Sequence, residues 1–246
     1  MTPTPTPTPT ATMTLQEAMQ NRHAVRSYLE KDIEPEILTA LTAEIATCNA
    51  ESGLNIQLVT HEPRAFSGIM ARLSLSGRFS GINTYLALIG KPGPDFEEKI
   101  GYFGQRVVLK AQQLGLNSCW VAVSYSKGRC GAAIGPEEKL GCVIPLGYGV
   151  TQGVPHKSRP FETLCRMESD GEGDMPAWFR KGGEAALLAP TANNQQKFLF
   201  TLTKEGVQAQ AIGRGSYTQI DLGIAKYHFE VGAGKENFRW TSGHNL

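Results

Sequence analysis

APTANNQQKF, residues 189–198, and RHAVRS, residues 22–27, are the two stretches that decide how this chain of 246 residues is organised. The first places four consecutive amides, Asn193, Asn194, Gln195 and Gln196, behind an Ala-Pro-Thr turn. Proline breaks the preceding helix, and the amides offer donors and acceptors together. Such a set can match the edge of a flat ring that presents N–H and C=O groups, or it can cap the strand that follows. The second stretch sets Arg22 and Arg26 four residues apart among apolar neighbours. In a helix the two share one face; in extended chain, residues 22, 24 and 26 share one side. Both geometries aim the guanidinium groups the same way. Desolvated beside Ala18, Met19 and Leu29 they need an anion, and the planar arginine fork suits phosphate. Otherwise they snorkel to solvent or pair with Glu17 or Glu30.

Outward from these stretches, helices and strands alternate. Thr14-x-x-Glu17 is a capping box that opens a first helix, and Pro35 is a good first-turn residue for a second through Ile37, Leu38, Leu41 and Ile45. Leu54–Thr60 and Tyr85–Ile89 read as strands, and residues 97–114 as the strongest helix, stopped at Gly115. Cys119–Val123 reads as a buried strand and Gly141–Tyr148 as another. An acidic, Gly-rich linker at 168–174 follows. Beyond it come a helix over Trp178–Ala189, strands over Phe198–Thr203 and Val207–Ile212, a helix over Gln219–Val231, and a strand-like tail with Phe238 and Trp240. This interleaving argues for α/β or α+β. A faint repeat runs through it: a helix and an Ala46–Ala50 turn lead into a strand, as a helix and Ala189–Asn193 do later. Tyr102-Phe103-Gly104 is likewise echoed by Asp221-Leu222-Gly223.

Bulk composition excludes more than it identifies. Net charge is +1, and 41% hydrophobic with 19% charged residues is ordinary for a globular protein, so no nucleic-acid or membrane partner is implied. Five cysteines without a CxxC pair give neither a zinc site nor a disulfide framework, which points to a reducing, cytoplasmic location. The opening MTPTPTPTPTAT lacks the basic start and apolar run of a signal peptide and is expected as an extended, solvated tail over 1–13. There is no HExxH, no Cys/His cluster, no Walker loop and no nucleophile elbow, and Gly147-x-Gly149 and Gly213-x-Gly215 lack the third glycine of a dinucleotide fingerprint. The basic loop His156-Lys157-Ser158-Arg159-Pro160 is either solvated or a further set of phosphate donors. An enzyme with these residues would leave its chemistry to a cofactor.

Together, Arg22–Ser27, Ala111–Trp120 and the run from Leu146-Gly147-Tyr148 to Lys157–Pro160 resemble the FMN-dependent nitroreductase family, over roughly residues 14–165. The family usually carries an Ala-Pro-Ser-x-x-Asn-x-Gln-Pro-Trp segment soon after its first two helices. Here that position reads Ala46-Thr-Cys-Asn-Ala-Glu-Ser-Gly53, and the motif reappears at Ala189–Gln196 with Lys197-Phe198 in place of Pro-Trp. Family members are homodimers whose partner subunit supplies that motif to the flavin. The chain is therefore similar to a single-chain subgroup, a fused pseudo-dimer. The implied fold is α+β, a mixed, mainly antiparallel sheet flanked by helices and duplicated within one chain. Residues 14–165 would be the FMN-binding half and 166–246 an abbreviated second half, giving a monomer with one FMN.

The resemblance also implies roles. Arg22, Lys157 and Arg159 would hold the phosphate; His23 and Ala24, the latter where a serine is usual, would line the ribityl chain. Arg26 would stabilise negative charge at N1 and O2 electrostatically, and backbone N–H groups around Ala122 and Val123 would approach N5. Pro190, Thr191, Asn194 and Gln196 would reach the ring from the second half. No metal is implied. NADH or NADPH would reduce the flavin, which would pass electrons to a small acceptor such as a nitroaromatic or a quinone. A flavin-binding sensor or carrier without reductase turnover, and a purely structural protein, are the alternatives.

Overall fold

The computed structural model describes residues 13–67, 79–168 and 174–242. The Thr-Pro stretch at 1–12 and most of the Gly-rich linker, 169–173, lie outside the described residues. The chain opens with α1, Leu15–Asn21, where the capping box forms as the sequence requires. Thr14 Oγ1 accepts the Glu17 amide at 3.2 Å, and Glu17 accepts the Thr14 amide at 2.8 Å. Helix α2, Pro35–Ser52, starts on proline and stops at Gly53, whose φ of 71° is left-handed. Ala46–Ala50, expected as a turn, therefore lies inside a helix. With neither proline nor glycine before position 53, nothing breaks it earlier.

The first sheet contains β1 (Gln57–Val59), β2 (Thr84–Gly90), β3 (Asn117–Ser118) and β4 (Lys139–Gly147), in the order β1-β2-β4-β3, all antiparallel. Helix α3, Phe96–Gln113, packs on it and buries Ile100, Phe103, Val107 and Val108. Cys119–Val123 is not the strand its apolar run predicts. The chain leaves the sheet after Ser118, and Val121 alone bridges to Val143, leaving Val123 60% exposed. A run of apolar residues does not distinguish a strand from a loop that lines a cavity.

A single helical turn, α4 (Phe161–Leu164), runs into β5 (Cys165–Met167), too short to show any periodicity in the sequence. Helix α5 (Ala177–Ala186), β6 (Phe198–Thr203), β7 (Gly206–Ala211), α6 (Thr218–Ala233) and β8 (Trp240–Ser242) complete the chain. The second sheet runs β5-β6-β7-β8: β5/β6 and β7/β8 are parallel, β6/β7 antiparallel. The fold is thus α+β with two four-stranded sheets and flanking helices; the mixed, mainly antiparallel sheet expected in each half is antiparallel throughout in the first and mostly parallel in the second. One hydrophobic cluster runs through both parts, joining Leu41, Leu86 and Phe103 to Phe179, Phe200 and Phe229.

Helices α3 and α6 cross at the centre, at two glycines. A Cβ on Gly101 would lie 2.0 Å from the Ile220 carbonyl oxygen and 3.0 Å from the Ile224 nitrogen. A Cβ on Gly223 would lie 2.0 Å from the Glu98 carbonyl oxygen and 2.8 Å from the Tyr102 nitrogen. Each glycine thus faces the carbonyl three residues before the other and the amide one residue after it. The same crossing buries an ion pair, Lys226 Nζ to Glu98 Oε1 at 2.6 Å.

Candidate functional site

A cavity of about 410 Å³ opens beside this crossing, within the size range of small-molecule and cofactor sites. Its first wall is the chain after α1. Arg22 ends that helix with extended backbone, φ −74° and ψ 113°, so the extended alternative holds for residues 22–26. The Val25 amide donates to the Ser118 carbonyl at 3.0 Å and ties the segment to β3, while Val25 itself enters the core. Arg22, His23, Ala24 and Arg26 line the cavity.

Arg22 is only 3% exposed. Its Nε and that of Arg26 are buried with no hydrogen-bond partner, and neither side chain forms an ion pair among the described residues. Burial pulls the Arg22 guanidinium down to about 10, with the nearby Cys119 acting weakly in the other direction. His23 is lowered by burial, then by the charge of Arg22 and by His156. Burying a cation without a counter-charge costs several kcal/mol, and among the described residues no carboxylate pairs with Arg22.

The second wall is the 119–124 segment. Ala122 and Val123 both line the cavity, and their backbone amides take no partner among the described residues. Trp120 is fixed from two sides. A Cβ on Gly104 would lie 2.7 Å from its ring, and its Nε1–H donates to Gln105 Oε1 at 3.0 Å. Gln105 Nε2–H then donates to His228 Nε2 at 2.8 Å, and His228 Nδ1–H donates to the Ala185 carbonyl at 3.0 Å. Only the neutral Nδ1–H tautomer satisfies this chain, and burial holds His228 down at about 3.

The third wall comes from the second sheet's side of the molecule. Pro190, Thr191 and Asn194 line the cavity together with Ile220, Asp221 and Ile224 of α6. The amide stretch is tightly wound: Asn193, Asn194 and Gln196 have φ of 50°, 53° and 46°, a left-handed region that asparagine tolerates and glutamine seldom adopts. Gln196, expected at the ring, is absent from the cavity lining. It is buried and turned toward the basic loop, with Oε1 accepting the Arg159 amide at 2.8 Å. Lys157 and Arg159 are exposed side chains that do not line the cavity, whereas His156 from the same loop does.

Asp221 was missed in the sequence because an acid in a helix's first turn is ordinary there. It is 2% exposed and accepts the Ala192 amide at 2.9 Å and Gln195 Nε2 at 2.7 Å, so it anchors the wound loop to α6. Burial raises its carboxyl to about 6, against the lowering effect of those two donors. The native state therefore holds this proton more tightly than the unfolded chain. Its stabilising contribution is full below the ordinary value of 3.8 and is lost as pH rises through about 6. Unfolding free energy measured from pH 4 to 7 should accordingly fall about 2–3 kcal/mol more in the wild type than in Asp221→Asn.

Among the described residues no group of three or more His, Cys, Asp or Glu is placed to hold a metal, and no helix is long and apolar enough to cross a membrane. Comparison with curated proteins gives no match. Among solved structures, a Thermotoga maritima protein described as a "putative nitroreductase" superposes with TM-score 0.61 at 21% identity, covering 92% of this chain and 87% of its own. A "Putative NADH dehydrogenase/NAD(P)H nitroreductase" from Parabacteroides distasonis gives 0.50 at 18% identity, covering 64% and 98%. A Desulfovibrio desulfuricans "putative nitroreductase", solved in complex with FMN, gives 0.48 at 16%, covering 70% and 100%. The family model described as "Putative TM nitroreductase" matches residues 14–233, which hold the first sheet and all of the second but β8, and the chain belongs to that family.

Proposed function

We propose that the chain is an FMN-dependent oxidoreductase that passes electrons from NADH or NADPH to a small electrophile such as a nitroaromatic or a quinone. The observation that carries this is Arg22, a buried guanidinium without an anion, at the wall of a cofactor-sized cavity. FMN fits those residues, because its phosphate supplies the missing counter-charge and the cavity leaves room for a flat ring between segments from both sheets. When bound, FMN supplies the hydride and electron chemistry that no side chain here can perform.

The protein's own part is binding, orientation and electrostatics. Arg22 neutralises the phosphate, with Lys157 and Arg159 adding long-range positive charge from the flanking loop. His23 and Ala24 line the ribityl chain. Arg26 holds positive charge against the ring, where it lowers the energy of added negative charge. The free amides of Ala122 and Val123 offer donors to the ring edge, and Pro190, Thr191 and Asn194 close the opposite side.

The fused pseudo-dimer is part of the same proposal. Two helix–strand–strand–helix units recur, α2-β1-β2-α3 and α5-β6-β7-α6, each with an antiparallel strand pair. Phe96 and Thr218 start their helices at the same distance before Gly101 and Gly223. The reciprocal contacts of those glycines are what an isologous, two-fold interface produces. This registers Gly101 with Gly223, one helical turn from the Gly104 echo seen in the sequence. The cavity is lined by residues from both halves of the chain, 22–156 and 190–224, which supports a monomer with one FMN. All five cysteines are free, which agrees with a cytoplasmic setting.

The purified protein should be yellow or take up FMN to about one per chain, and stopped-flow mixing with NADH or NADPH should bleach it. A colourless protein that takes up no FMN would sink the reading. A bound flavin that stays oxidised would favour a sensor or carrier.

A further inference from the structure

Two amides of the 193–196 stretch, those of Asn194 and Gln196, bond the backbone of the basic loop, and Gln196 does so from outside the cavity lining. Gln196 is 2% exposed, and its two ends grip two residues of that loop: Oε1 accepts the Arg159 amide at 2.8 Å, and Nε2 donates to the Lys157 carbonyl at 2.9 Å. Asn194 Nδ2 donates to the same Lys157 carbonyl at 2.9 Å, and Gln196 Nε2 also reaches Asn194 Oδ1 at 2.8 Å. The loop's other two polar side chains converge nearby, with His156 Nε2 and Ser158 Oγ both on the Leu187 carbonyl, at 3.0 and 2.9 Å. The clamp is itself anchored. Thr191 Oγ1 accepts the Gln196 amide at 3.0 Å, and Asp221 accepts the Ala192 amide.

Gln196 holds a left-handed backbone to do this, with φ of 46°. A strained glutamine, fully hydrogen-bonded and buried, is costly unless its exact placement matters. The residues it fixes carry two exposed cations whose side chains make no ion pair among the described residues. Fixing a loop's backbone before binding removes the entropy that ordering it around an anion would otherwise cost.

We propose that Gln196 is a positioning residue that pre-forms the Lys157-Ser158-Arg159 loop as the phosphate end of the flavin site, so that one unit shapes the anion-binding loop of the other. This rests on the FMN reading above and changes what the amide stretch does within it: Gln196 serves the phosphate rather than the ring.

FMN and riboflavin differ only in that phosphate, so their affinities separate the two roles. Flavin fluorescence titrations would compare the wild type with Gln196→Glu, which keeps the acceptor for Arg159 and sets a carboxylate against the Lys157 carbonyl. Gln196→Met, which keeps the volume and loses both bonds, is the second variant. The wild type should bind FMN at least tenfold more tightly than riboflavin. Both variants should lose tenfold or more in FMN affinity while riboflavin affinity changes less than twofold. Equal losses for the two flavins, or no loss for either, would overturn the proposal, as would wild-type affinities that do not distinguish them. Loss of the folded state in both variants, seen by circular dichroism, would make Gln196 structural and overturn it too. A wild type that binds neither flavin would instead refute the FMN reading itself.

Discussion

Arg22→Met is expected to weaken FMN binding by about 1.5–3 kcal/mol, roughly 10- to 150-fold, and to raise the melting temperature of the flavin-free protein. The two changes have opposite signs for one reason. In the flavin-free chain the Arg22 guanidinium is buried with Nε unsatisfied and no carboxylate in ion-pair range among the described residues. A drop to about 10 corresponds to a fold that disfavours the charge by on the order of 3 kcal/mol. Methionine fills the space of the arginine stem without a charge, so that penalty disappears. Phosphate binding would have repaid it, and with methionine there is nothing to repay. Differential scanning calorimetry with and without FMN reads both quantities. A residue that merely packed, or that paired with a carboxylate, would lose stability in the flavin-free state on the same change. That outcome would end the anion-site assignment.

How far the sequence carried the site follows from what each feature depends on. Local signals survived: the Thr14 capping box, Pro35 at a helix start and the β-rich run Phe198–Thr203 depend on neighbours in the chain, and each forms where expected. The juxtaposition of residues 22–26 with 190–194 was legible only through the family resemblance, since each stretch alone has an ordinary alternative as a strand cap or a surface cation; both segments line one cavity. Direction was not legible. Four amides in a row cannot reveal that one of them turns away from the cavity to a loop some forty residues earlier. That choice is set by left-handed backbone at Asn193, Asn194 and Gln196. The same applies to Asp221, whose burial depends on a helix crossing that only tertiary packing defines. Cys119–Val123 failed as a strand because an apolar run fits a cavity wall as well as a sheet.

Gly101→Ala and Gly223→Ala should each destabilise the chain by about 3 kcal/mol, a fall of about 6–12 °C in melting temperature. In both cases the new methyl group would sit 2.0 Å from a backbone carbonyl oxygen of the facing helix. Backbone cannot swing aside as a side-chain tip does, so α3 and α6 must separate over their whole crossing. Because one separation relieves both clashes, the double variant should cost clearly less than the sum of the two. Gly128→Ala is the control: a Cβ there meets nothing within 4 Å, and the change should stay within about 0.5 kcal/mol. The reciprocity carries the weight of the pseudo-dimer reading. A two-fold crossing demands equal costs at both glycines, whereas an accidental close approach gives no reason for them to match. Since α6 also carries Ile220, Asp221 and Ile224 into the cavity, opening the crossing should lower FMN affinity alongside stability. Loss of stability at only one of the two glycines would break the symmetry argument while leaving the Arg22 site intact.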